Sequence, residues 1–337
     1  MKSDLKSPDT MKSVLPVIAF DAFAKGTPTD RRQIAGEIHE AVLNTGFFHL
    51  DGHGMDAPLA TAMSAADWFF DLPETDKQAI AIEKSPCHRG WYAIGGERLD
   101  AVTYPEGDFK EGIKIGHDLD SSHPLVAAGL PLHGPNQWLT EDTALGPDCP
   151  ARMFNTSMQA VYDGLSDVSR TLMQAFALGL GLPETHFDRY LETPMATLSP
   201  IRYPPLNASR ERISAGAHSD FGCLALLAQD DTGGLEILHP DTGWMNVPPR
   251  PGSLLVNIGD MLSLWTGGLY RSTMHRVRNR SAKNRTSMVF FFDPQHDTPL
   301  DIICPGQPVQ APETSLTALQ HLLNKISSSF DYVDFDA

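Results

Sequence analysis

The chain has 337 residues and a formal net charge of −16, with 41% hydrophobic and 20% charged residues. That is the balance of a soluble globular protein able to bury a large core, and its negative charge works against binding nucleic-acid phosphates or an anionic membrane surface. No run approaches the ~18 apolar residues of a membrane span and the N-terminal MKSDLKSPDTMKSVLPV lacks an apolar signal core, so a cytoplasmic location is expected.

After a polar tail to about Ser13, Thr29-Asp30 is the expected cap of a helix running to Asn44. Gly46-Phe-Phe-His-Leu then reads as a short strand, and Ala57 to Phe70 as a second helix. Residues 86 to 150 are rich in Pro and Gly and read as long loops around a strand near Gly112-Ile-Lys-Ile-Gly. Trp91, Tyr92, Glu97, Tyr104 and Phe109 in these loops are candidates for a lid over a small substrate, and packing accounts for them equally well. Met153 to Leu182 has the spacing of one long helix, ended by Gly-Leu-Gly-Leu-Pro. From Ala196 the chain turns to short β-like runs, ATLSPIRY, CLALLAQ, GLEIL, GWMNV, SLLVNIGD, YRSTMHRV and RTSMVFFF, punctuated by turn residues. Their close spacing predicts an antiparallel sandwich or barrel, and a helix from about Thr314 to Ser328 closes the chain. The expected divisions are 14–150, 151–195, 196–300 and 301–337, within one structural unit. Cys87, Cys149, Cys223 and Cys304 are scattered without a CxxC pair, as expected of reduced buried thiols. Between Arg271 and Arg285 stand six Arg or Lys and no acid. A solvated strand face is the commoner origin of such a run, and a bound anion the other.

Four His-x-Asp pairs occur: His49/Asp51, His186/Asp188, His218/Asp220 and His239/Asp241. Side chains at i and i+2 converge on extended chain and diverge on a helix, which demotes His186/Asp188 in the helical-looking ETHFDRYL. Pro240 and Thr-Gly make His239/Asp241 a turn. His49/Asp51 follows a strand-like run and stays open on local grounds, a strand end and turn being its commoner origin, whereas His218/Asp220 leads into the apolar run from Cys223 to Ala228. A third donor is available in His275, and two His with one carboxylate suit iron(II) with open positions for small ligands. Arg285 and Ser287, again two apart, would offer a guanidinium and a hydroxyl to a carboxylate.

These residues resemble the iron(II)/2-oxoglutarate-dependent dioxygenases of the isopenicillin N synthase-like family. His218-x-Asp220, His275 ten residues before Arg285, and Arg285-x-Ser287 carry the likeness. GFFHLDGHGM, GDFKEGIKIG and LLVNIGDMLSLWTGGLYRSTMHRV are similar to further family blocks in the same order, spanning about residues 14 to 300. The resemblance implies a double-stranded β-helix, or jelly-roll, core with a helical N-terminal region and a C-terminal helix. It implies His218, Asp220 and His275 as iron ligands, and Arg285, Ser287 and the Tyr203 hydroxyl as holders of 2-oxoglutarate, with O2 the other co-substrate. One departure is Ile201, where many plant members have Asn. The implied reaction is hydroxylation, desaturation, cyclisation or demethylation of a small molecule, with an anionic one among the candidates. Strand parity from Arg285 puts Val289 and Phe291 inside the barrel, and Phe221 follows the metal pair; these residues are candidates to face substrate. The protein is expected to act as a monomer or homodimer. An ethylene-forming or oxidase-type member, to which AQDDTGGL gives a faint likeness, is the alternative, and a non-catalytic jelly-roll binding protein the remaining one.

Overall fold

The computed structural model describes residues 15–206, 212–301 and 316–330. Cys304 and the Thr314 start expected for the last helix lie outside the described residues. The strands are β1 (Val17–Ala19), β2 (Phe47–Asp51), β3 (Gly90–Tyr92), β4 (Glu111–Gly116), β5 (Thr197–Tyr203) and β6 (Ala215–His218). They continue with β7 (Leu224–Gln229), β8 (Leu235–His239), β9 (Gly243–Val247), β10 (Ser253–Ile258), β11 (His275–Val277) and β12 (Arg285–Phe292). A large sheet in the order β1-β2-β10-β7-β12-β5-β4-β3 faces a small one in the order β6-β11-β8-β9, forming the double-stranded β-helix. Among these pairings β1 with β2 is parallel and the rest are antiparallel.

Side-chain alternation on the large sheet separates two cores. Met288, Phe290 and Phe292 of β12 face the helices, where the long helix Pro150–Gly179 buries Phe154, Met158, Val161, Leu165, Leu172 and Phe176. Tyr162 meets Phe290 edge to face with ring centres 5.4 Å apart. Val289, two residues from Ser287, joins Ile201, Tyr203, Ala225, Ile237, Val247 and Val277 in a second cluster between the sheets.

Local corrections follow from backbone chemistry. The first long helix is Pro28–Asn44 and its cap is Thr27, not Thr29-Asp30. Thr27 Oγ1 accepts from the Asp30 N–H at 3.3 Å and Asp30 Oδ2 from the Thr27 N–H at 2.9 Å, while Pro28 needs no donor at the first position. YRSTMHRV is strand only from His275, and ETHFDRYL holds a short 3-10 turn at Asp188–Tyr190 instead of a helix. The last helix is Ala318–Ser329, capped by Thr317 with Gln320. Of the basic run, Arg276 alone stands on β11 and Arg285 on β12; Arg276 and Arg280 reach Glu236 at 2.6 and 3.7 Å, and Arg276 lies over Trp244.

Trp91 is not part of a lid. It pairs with Ile113 across β3 and β4, faces the helices, and donates from Nε1 to Glu111 Oε2 at 2.9 Å. The same oxygen accepts from Lys77 Nζ at 2.8 Å, and both charged residues are buried. Glu111→Ala therefore leaves a buried ammonium with the Phe70 carbonyl and the Trp91 ring as partners and no carboxylate among the described residues. Urea unfolding of this variant is expected to show a loss of about 3–5 kcal/mol; a change below about 1 kcal/mol is what a solvated surface pair would give.

Candidate active site

His218 ends β6 and His275 begins β11, and the two stand opposite each other in register, with ring centres 4.2 Å apart. Each Nδ1 lies against a carbonyl two residues back, Gly216 O at 2.8 Å and Thr273 O at 3.2 Å. A carbonyl can only accept, so both rings carry a proton on Nδ1, and Nε2 is the nitrogen left for the site. Burial, followed by the neighbouring His275, holds the His218 pKa well below the ordinary histidine value, so it is neutral. Asp220 Oδ1 is 3.8 Å from His218 Nε2 and 3.6 Å from His275 Nε2. All three donor atoms lie within 4.8 Å of one another, the one such group among the described residues. Contrary to the reading of an extended pair, Asp220 lies beyond the end of β6, in the turn before β7.

That turn is tied down from several sides. Asn257 of β10 donates from Nδ2 to Asp220 Oδ2 at 2.6 Å, which leaves Oδ1 for the site. The Asp220 carbonyl accepts from the Asp260 N–H at 2.8 Å, and the Asp260 carboxylate accepts from Ser272 and Lys325, both at 2.7 Å. Gly222 packs against the Asp293 carboxylate so closely that a Cβ would collide with it.

The large sheet supplies the opposite wall. Arg285 and Ser287 of β12 pair with Tyr203 and Ile201 of β5 and are wholly buried. The Arg285 guanidinium lies 4.8 Å from the Tyr203 ring centre, and Nη2 donates to Gln229 Oε1 at 2.9 Å. Its Nε and Nη1, and the Ser287 hydroxyl, have no partner among the described residues. A buried guanidinium with idle donors beside an idle hydroxyl is an incomplete arrangement that a ligand carboxylate would complete. The residues fit a bound 2-oxoglutarate on that ground, and the His/Asp/His group fits iron(II) by donor type.

Both walls line one cavity of about 1290 Å³, its open mouth included. Phe221, Val289 and Phe291 line it, as does Glu97. Trp91, Tyr104 and Phe109 are not among its lining residues. Tyr104 belongs to a turn closed on the Asp100 carbonyl, and Phe109 packs beneath the Arg212 guanidinium at 4.8 Å. Tyr92 sits over Gly112, where any Cβ would strike its hydroxyl. His49 and Asp51 lie away from this constellation in β2, Asp51 pairing with Arg250 at 2.7 Å; His239 accepts from the Asp241 N–H in the β8–β9 hairpin.

Two family models match the chain, one described as the N-terminal part of a non-haem dioxygenase in morphine synthesis over residues 15–141 and one as the 2OG-Fe(II) oxygenase superfamily over 189–294. A probable iron/ascorbate oxidoreductase of Dictyostelium discoideum is 34% identical over 305 residues, covering 84% of this chain and 82% of that protein. The chain belongs to the 2OG-Fe(II) oxygenase superfamily. Homoarginine-6-hydroxylase of Arabidopsis thaliana is 32% identical over 340 residues, covering 95% and 90% of the two chains. The fold is that of a full-length Neurospora crassa protein solved in complex with alpha-KG and thymine, with a TM-score of 0.80 at 23% identity over 94% of this chain and 98% of that one. As a 2OG-Fe(II) oxygenase, the enzyme uses iron(II), 2-oxoglutarate and O2 to oxidise a small molecule. No helix among the described residues is long and apolar enough to cross a membrane.

Residues of this oxygenase that sequence reasoning did not single out include Asn257, Asp293, Lys114 and Arg89. Asn257 and Lys114 sit in quoted family blocks, yet nothing in their local pattern says which way they point. Asp293 lines the cavity, and burial raises its pKa to about 7, aided by Asp220 and opposed by the Cys223 N–H it accepts from at 2.7 Å. In metal-free protein the folded state keeps this proton where the unfolded chain has lost it. Asp293 therefore makes stability fall as pH rises from about 4 to 7. Asp293→Asn can keep the hydrogen bond from Cys223 and is expected to gain on wild type steadily across that window; denaturation curves whose separation does not change with pH would contradict this.

Proposed function

We propose that His218, Asp220 and His275 hold the iron(II), and that Arg285, Ser287 and Tyr203 receive the distal carboxylate of 2-oxoglutarate. The observation that carries the reading is the set of buried atoms on Arg285 and Ser287 without a partner among the described residues, in the same cavity as two imidazoles and a carboxylate whose donor atoms converge. When bound, iron and 2-oxoglutarate together supply activation of O2, with the co-substrate ending as succinate and carbon dioxide.

The protein's own contribution is placement. The Nδ1–H bonds to Gly216 and Thr273 fix the two imidazoles with Nε2 toward the cavity, and Asn257 fixes which Asp220 oxygen is free. Arg285 orients the co-substrate by pairing with its far end, 10 residues along the chain from His275 but on the opposite sheet. Ile201, Leu227, Leu235, Val277 and Val289 give the chamber apolar walls that exclude water. The substrate is a small molecule entering beside Phe221 and Phe291, in keeping with the homoarginine named for the Arabidopsis relative. It carries an anionic group, because Lys114 and Arg89, which line this chamber, lack full counter-charge among the described residues.

Arg285→Gln is expected to weaken 2-oxoglutarate binding about thirtyfold or more and to leave iron binding nearly unchanged, as read by separate calorimetric titrations. Equal loss of both would count against the role. Asn257→Ala is expected to weaken metal binding about 10- to 100-fold while the fold persists; unchanged affinity would remove Asn257 from the account.

A further inference from the structure

The inward face of β4 presents a line of cations that are unevenly neutralised. Lys110, just before the strand, lies 2.8 Å from Glu97 and 3.0 Å from Asp108. Among the described residues Lys114 reaches only Glu97, at 3.5 Å, an acid already closer to Lys110. The rings of Tyr92, Phe291 and Phe330 surround its ammonium at 5.6, 5.7 and 6.0 Å. Burial opposes the charge on both lysines: at Lys110 the two acids win and its pKa stands well above the ordinary value, while at Lys114 burial wins and the pKa is lowered.

Arg89 continues the line. Its guanidinium lies over Gly116, two residues beyond Lys114, where any Cβ would collide with it. It donates to the carbonyls of Cys87, His88 and Leu132, its Nε has no partner, and no carboxylate among the described residues is within ion-pair distance. His88 and Leu132 are the two non-glycine residues in the left-handed region among those described, with φ of 60° and 63°. Strain of this kind persists where the surroundings enforce it, and here both strained residues cradle one guanidinium. His88, pushed down to about 3 chiefly by burial, adds no charge. Lys114 and Arg89 are buried and line the chamber that holds the His/Asp/His group. Arg285, the partner assigned to 2-oxoglutarate, stands on β12, two strands away.

We propose that Lys114 and Arg89 form an anion subsite for the substrate, which is a small organic acid held by its carboxylate. The proposal rests on this cavity being the oxygenase's reaction chamber. One ammonium and one idle N–H suit a carboxylate better than a phosphate, which would need more donors, and Phe291, Phe330, Leu322 and Ile326 provide walls for an apolar body.

Binding of phenylacetate, hydrocinnamate and octanoate, and of their primary amides, is measured by ligand-observed NMR on protein carrying zinc in place of iron and saturated with 2-oxoglutarate. The acids are expected to bind at least about tenfold more tightly than the amides. Lys114→Met is expected to erase that preference and Lys114→Arg to keep it. Methionine suits the aromatic cage, and Glu97 retains Lys110, so folding is expected to survive; if it does not, the acid-to-amide ratio of the wild type decides. Equal binding of acids and amides, no acid binding at about 10 mM, or a preference intact in Lys114→Met would overturn the subsite. Titrating 2-oxoglutarate into the same proteins separates the two readings. Loss of 2-oxoglutarate in parallel with the acids would move Lys114 to the co-substrate and overturn the proposal, while a wild type that binds the acids but not 2-oxoglutarate would sink the Arg285 reading and leave the subsite standing.

Discussion

The strand from Arg285 to Phe292 has almost no solvent side, and much of the molecule is arranged around that fact. Its helix-facing row is Met288, Phe290 and Phe292, which need an apolar cover, and the long helix Pro150–Gly179 with its buried stripe supplies one. Its other row begins with Arg285 and Ser287, which face the interior of the β-helix. Burying a guanidinium is tolerable only with compensation. Gln229 and the Tyr203 ring give part of it, and the donors left idle are those that a dicarboxylate co-substrate can take.

The His218/Asp220/His275 group obeys a second constraint, that three donor side chains from two sheets' worth of scaffold must meet at one point. Register does half of this by setting His218 directly opposite His275. The rest falls on the short turn carrying Asp220, which has no strand partner of its own. It is held by Asn257 from the large sheet, by the backbone of Asp260, and by the C-terminal helix, whose His321 contacts the Phe221 carbonyl at 2.9 Å. The Asp220 carboxylate, though on a turn, is thereby given nearly the rigidity of one on a strand.

Much of this was legible in the sequence. The β-run spacing after Ala196 and the alternation in RTSMVFFF announced the sheets and correctly put Val289 and Phe291 on the same face as Arg285. His218/Asp220 could be ranked above His186/Asp188 and His239/Asp241 from local context, and above His49/Asp51 only through the family resemblance, although Asp220 stands on a turn and not on the extended chain that the ranking assumed. What failed was the direction of side chains in residues 86–116. Trp91 sits on a strand too short to betray its parity, and it faces the helices where Gly90 and Tyr92 face inward. Gly112-Ile-Lys-Ile-Gly reads as a strand among long loops, which gives Lys114 no direction; β4 is buried along its whole length because β3 and β5 flank it and layers cover both faces.

The charge of the chain also misleads if read as a whole. The net charge is −16, yet the chamber contains Arg89, Lys110, Lys114 and Arg285, with Glu97 and Asp220 the acids that line it beside the protonatable Asp293. Surface charges act over about 8 Å at physiological salt, so an organic acid outside is not drawn in by the protein's overall field and is mildly opposed by it. Attraction begins only inside the mouth, where the dielectric is low and Lys114 and Arg89 are near. Selection for an acid would then be made in the bound complex, by dissociation rate more than by encounter rate, and an acid too bulky to pass Phe291 and Phe330 would gain nothing from its charge.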